Sequence, residues 1–142
     1  MSRIIKNKKE IIEYFEKGSK PKQLCKIGTE HEKFIYHLDT LQPINYHEKK
    51  GIKSLFELLK KKGWKEIQEA GNPIGLKKKG SNISLEPRCQ IELSGGTVKT
   101  IHETCKQAKN YLDQLKTICL KKKLGILGLG YYPKNFKKDI GW

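Results

Sequence analysis

Two turn-forming pairs, Gly71-Asn72 and Lys79-Gly80, bracket the short apolar run Ile74-Gly75-Leu76, and Ile83 to Glu86 follows directly. Turns this close together leave no room for a crossover helix, so the strands between them must fold back as an antiparallel meander. A helical segment lies on either side. Ile52, Leu55, Phe56 and Leu59 recur at helical spacing ahead of a stop at Gly63, predicting a helix from Ile52 to Lys62. Further on, Thr100 and Glu103 form a Thr-x-x-Glu capping box. Ile101, Cys105, Ala108, Leu112, Leu115 and Cys119 predict the buried stripe of a long helix that ends at Gly125. A shorter helix is expected after Asn7 and Glu10, stopping at Gly18 and Pro21. Strands are expected over Cys25 to Tyr36 and Ile126 to Tyr132. This order has no βαβ rhythm, which argues for an α+β fold with a mainly antiparallel sheet and flanking helices.

The strand candidate Gly28-Thr29-Glu30-His31-Glu32-Lys33 carries two carboxylates two residues apart. Strand side chains alternate between faces, so Glu30 and Glu32 point one way and His31 the other. Like charges side by side cost stability unless a cation sits between them. Glu86 and Glu92 lie in a second such stretch, Ile83 to Ser94, again framed by apolar residues. The four glutamates therefore read as a metal-binding cluster. Carboxylate oxygens suit the hard cations Mg²⁺ or Mn²⁺, which commonly neutralise ATP phosphates during phosphoryl transfer. The bland alternative is four solvent-facing glutamates paired with lysines. No Gly-x-x-x-x-Gly-Lys-Ser/Thr loop occurs, so a P-loop nucleotide site is excluded.

The chain has 142 residues and a net charge of +15, which raises the question of nucleic acid. Only Arg3 and Arg88 among its basic residues are arginine, the type preferred for base edges and bidentate phosphate contacts. The lysine clusters lack interleaved aromatic residues for stacking, so a basic nucleic-acid-binding module is the weaker reading. No run of about 18 apolar residues could cross a membrane, and the N-terminus lacks a secretory apolar core. A cytoplasmic chain is expected. Cys25, Cys89, Cys105 and Cys119 show no C-x-x-C spacing and are expected as free thiols.

Several ordered motifs add to this. Ile27-Gly28-Thr29-Glu30-His31-Glu32-Lys33-Phe34, Ile83-Ser84-Leu85-Glu86-Pro87, Gln90-x-Glu92-Leu93-Ser94-Gly95 and His102-Glu103-Thr104-Cys105 resemble glutamate–cysteine ligases of the plant and proteobacterial type. Gly125-Ile126, Leu129-Gly130-Tyr131, Pro133-Lys134 and Asp139-Ile140-x-Trp142 continue the resemblance in order. It implies a glutamine-synthetase-like fold, with residues 1–142 as the N-terminal part of a single catalytic domain. The implied reaction joins the γ-carboxyl of L-glutamate to the amine of L-cysteine, through an acyl phosphate made with ATP. Glu30, Glu32, Glu86 and Glu92 match the motif glutamates that hold Mg²⁺, and no general base is assigned. Another carboxylate–amine ligase of the same superfamily is the nearest alternative. Family members run to several hundred residues, so the chain alone is expected to be inactive. It departs from the pattern at Arg88-Cys89, where the family has two glycines, the residue that adopts positive φ cheaply.

Overall fold

The structure, a computed structural model, describes residues 4–134, and the motif residues Asp139, Ile140 and Trp142 lie outside them. Helix α1 spans Lys8–Gly18, α2 Ile52–Lys60 and α3 Ile101–Lys122. The strands are β1 (Glu30–His37), β2 (Lys65–Glu69), β3 (Asn72–Lys78), β4 (Ser81–Glu86), β5 (Gln90–Ser94) and β6 (Leu124–Leu127). They form one sheet in the order β2-β3-β4-β5-β1-β6, with antiparallel pairing between all neighbours. The α+β class and the central meander follow the sequence reading.

One face of the sheet is apolar. Ile35, Leu76, Ile83, Ile91, Leu93 and Leu124 pack there in a single core with Ile52, Leu55, Phe56 and Leu59 of α2 and Tyr111, Leu115 and Ile118 of α3. Covering that face with two helices leaves the other face to the remaining side chains, which are mostly polar.

Several boundaries differ from expectation, among them the end of α2, which lies at Lys60 and not Lys62. The strand expected from Cys25 begins at Glu30, with only Ile27 bridged to Val98 before it. The strand expected over Ile126 to Tyr132 is β6, which ends at Leu127. Gly125 lies inside that strand, and α3 is terminated instead by Lys123 in the left-handed conformation (φ 57°). The buried stripe of α3 is also rotated. Ile101 and Cys105 are exposed, whereas Thr104, Tyr111, Leu115, Ile118 and Cys119 are buried. The polar labels of Thr104 and Tyr111 hid this. Thr104 satisfies its own hydroxyl by donating to the Ile101 carbonyl at 2.7 Å, and Tyr111 contributes a large ring to the core.

Candidate functional site

Strand register decides what the glutamates can do together. Glu32 of β1 lies directly opposite Glu92 of β5, and Glu92 in turn opposite Ser84 of β4. Glu30 pairs with Ser94 and Glu86 with Gln90. Cross-strand partners share a face, so all four glutamates stand on the side of the sheet away from α2 and α3. His31 is opposite the buried Leu93 and belongs to the helix-covered face.

Glu30 and Glu32 are exposed, and Glu86 and Glu92 half-buried. Two neighbours missed by the sequence reading hold the cluster. Gln90 is 6 % exposed, and its amide nitrogen donates to Glu32 Oε2 and to the Leu129 carbonyl, both at 3.2 Å. Both partners are acceptors, so only the amide NH₂ can serve them. Ser94 donates its hydroxyl to Glu92 Oε1 at 2.9 Å. The signal for both lay in the alternation Gln90-Ile91-Glu92-Leu93-Ser94, which puts three polar groups on one face. Beside them Phe34 is buried under Tyr132, edge to face at 5.2 Å, and forms an apolar wall.

Among the described residues no lysine, arginine or histidine lies within ion-pair distance of the four glutamates. The described residues thus offer none of the four a lysine partner, while Glu30 and Glu32 do face solvent. Facing carboxylates without a counter-charge repel each other. Among the described residues no three His, Cys, Asp or Glu side chains converge into a ready-made cage either. The donor set nonetheless fits Mg²⁺ or Mn²⁺: magnesium is usually held by one or two carboxylates and takes its other oxygens from water and substrate phosphates. Glu86 also lines a cleft of about 480 Å³ with Tyr46, His47, Ser84 and Cys89. Burial and the nearby Glu48 push the Cys89 thiol up, against the opposing pull of Arg88, so Cys89 is held as a thiol.

The connection between β4 and β5 is unusual. Arg88 (φ 62°) and Cys89 (φ 58°) both adopt the left-handed conformation. These are the two positions where the resembled family is expected to carry glycine, the residue that adopts this conformation at least cost.

Residues 26–140 match glutamate-cysteine ligase family 2. The chain is 42% identical over 133 residues to glutamate–cysteine ligase A, chloroplastic, of Oryza sativa subsp. japonica, covering 94% of this chain and 27% of that protein. It is 39% identical over 137 residues to the chloroplastic glutamate–cysteine ligase of Medicago truncatula, covering 94% and 26%. The chloroplastic enzyme of Arabidopsis thaliana is 38% identical over 137 residues, covering 94% and 25%. The chain thus spans about a quarter of the length of these relatives. Their names overturn the cytoplasmic expectation, since all three are chloroplastic. That expectation rested on the missing apolar core of a secretory signal, which bears on secretion and not on organelle import. No helix among the described residues is long and apolar enough to cross a membrane.

Proposed function

The chain belongs to glutamate-cysteine ligase family 2, and on that premise we propose that it supplies the carboxylate-bearing part of an ATP-dependent ligase site. The reaction is the joining of the γ-carboxyl of L-glutamate to the amine of L-cysteine, giving γ-glutamylcysteine for glutathione synthesis. The observation that carries the reading is Glu32 facing Glu92 on adjacent strands with no cationic side chain of the described residues within ion-pair distance. The sheet is read as part of a glutamine-synthetase-like fold, and the chain as the N-terminal part of a single catalytic domain. The relatives' names favour a plastid as its compartment.

In this site Glu30, Glu32, Glu86 and Glu92 would hold Mg²⁺ or Mn²⁺. The cation, when bound, neutralises phosphate oxygens as the phosphoryl group moves from ATP to the γ-carboxylate. The chain's own residues position and exclude. Gln90 fixes the Glu32 carboxylate, Ser94 fixes that of Glu92, and Phe34 with Tyr132 keeps water from one side. Carboxylates that are already oriented need no rearrangement when charge develops, the condition under which electrostatic stabilisation is strongest. The amine of cysteine then displaces phosphate from the acyl phosphate, which needs no protein nucleophile.

A chimera tests this, with the present chain replacing the matching segment of the rice relative. It is expected to release γ-glutamylcysteine and phosphate from glutamate, cysteine and ATP. Glu32→Ala in the chimera should lower kcat by about a hundredfold or more, with the circular dichroism spectrum unchanged. Unchanged turnover in that variant would contradict the assignment.

A further inference from the structure

A set of uncompensated polar groups lies on the other side of the sheet, under α3. Gln107, Tyr111 and Gln114 recur at i, i+4 and i+7 and so share one face of that helix. With Trp64, Leu93 and Lys79 they line a cleft of about 280 Å³. Leu93 belongs to the helix-covered core, so the sheet itself separates this cleft from the glutamates. Some of its polar groups are already paired. Trp64 Nε1 donates to Gln114 Oε1 at 3.0 Å, and the Gln114 amide donates to the Asn110 carbonyl, also at 3.0 Å. Two others are open. Tyr111 is 2 % exposed, and its hydroxyl is enclosed without a hydrogen-bond partner among the described residues. Gln107 Oε1 is equally enclosed and unpartnered. Its amide nitrogen donates to the Gly96 carbonyl at 3.1 Å, which fixes which end of the amide is the oxygen. Enclosed polar groups left unpaired cost stability, so this pair calls for a partner. At the mouth of the cleft Lys79 is exposed, with no carboxylate within ion-pair distance among the described residues.

Complementarity names the ligand class. The Tyr111 hydroxyl can donate, whereas Gln107 Oε1 can only accept, so a group placed between them must both accept and donate. A hydroxyl does this with one oxygen. A protonated amine donates without accepting, and it would lie near the cationic Lys78 and Lys79 of the same cleft. Burial pushes the Tyr111 phenol far above its usual range, so it stays a neutral O–H donor. Lys79 in turn calls for an anion. We propose that the cleft binds a small hydroxy acid, its hydroxyl between Tyr111 and Gln107 and its carboxylate against Lys79. Trp64 and Leu93 supply an apolar wall for the carbons between. The volume lies just under the range of drug-sized sites, about 300–1,000 Å³, which limits the ligand to a few carbon atoms. The site uses no residue of the glutamate cluster and does not rest on the function proposed above.

The test is a pair of NMR titrations of the isotope-labelled 142-residue chain, with β-hydroxypropionate and with propionate, which differ only in the hydroxyl. Saturable shifts are expected at the Trp64 indole N–H and at the Gln107 and Tyr111 amides. The hydroxy acid should bind at least about threefold more tightly than propionate. Tyr111→Phe keeps the ring and should bring that preference below about twofold, and Gln107→Leu, which removes the other half of the pair, should do the same. Lys79→Ala should weaken both probes by about fivefold, whereas Lys106→Ala, on the exposed side of α3, should change neither by more than about twofold. Equal affinity of the unaltered chain for the two probes would mean that the hydroxyl and the amide are already satisfied, as by a bound water, and would overturn the proposal. A preference that persists in both Tyr111→Phe and Gln107→Leu would do so too, as would shifts that gather on β1 and β5 near the glutamates or a lack of saturable shifts with either probe. Equal weakening by Lys79→Ala and Lys106→Ala would reduce the carboxylate contact to net charge and likewise overturn the site.

Discussion

Arg88 and Cys89 show how one fold tolerates a local conflict. A left-handed conformation costs a residue with a Cβ roughly 1–2 kcal/mol, and here two such residues are adjacent (φ 62° and 58°). Burial adds to the conflict, because Arg88 Nε and Nη1 are enclosed without a hydrogen-bond partner among the described residues. The turn survives because β4 and β5 pair on either side of it and fix its ends. Arg88→Gly should therefore stabilise the chain by about 1 kcal/mol, read as a raised denaturant midpoint. A lowered midpoint would mean that the guanidinium makes a net favourable contribution. The conflict was half legible in sequence. The departure from two glycines was visible, but its backbone consequence became visible only with the torsion angles.

Among the elements, α3 has the expected start and only part of the expected buried stripe: Leu115 and Cys119 are buried, Ile101 and Cys105 exposed. Its capping box forms as expected: Thr100 accepts from the Glu103 backbone, and Glu103 accepts from the Thr100 and Lys99 backbone N–H groups. Such a signal is local, set by residues three apart, and so is readable without the fold. The buried stripe is not local. It is set by where the sheet lies, and a threonine and a tyrosine turned inward because their hydroxyls did not prevent it. Thr100→Ala should cost about 1 kcal/mol in thermal or chemical unfolding. Hydrogen bonds from the Thr100 and Lys99 backbone hold the Glu103 carboxyl below the usual range. A lowered folded-state value means the stabilisation is present above the unfolded carboxyl pKa and lost as pH falls through the folded one. Glu103→Gln should accordingly flatten the acid limb of the stability profile, and an unchanged limb would place the acid sensitivity elsewhere.

At the scale of the molecule, the two-residue spacing of Glu30 and Glu32 was enough to put them on one face, but not to say what they faced. Glu32 meets Glu92 only because β1 inserts beside β5, a pairing between segments far apart in the chain that no local pattern encodes. By contrast, Lys65 meets Lys77 within the β2–β3 hairpin, on the same face of the sheet. The fold thus sets Glu32 against Glu92 and Lys65 against Lys77, and among the described residues none of the four has an opposite charge within ion-pair distance.

The most direct measurement is thermal unfolding of the chain and of Glu32→Gln/Glu92→Gln, each with chelator and with saturating Mn²⁺, beside calorimetric titration of the cation. Without metal the double variant should be more stable by about 0.2–1 kcal/mol, because repulsion between facing carboxylates is gone. With Mn²⁺ the order should reverse, since the unaltered chain gains more from binding, the variant's affinity being lower by about tenfold or more. A double variant that binds Mn²⁺ as tightly as the unaltered chain, or an unaltered chain that Mn²⁺ does not stabilise, would contradict the account.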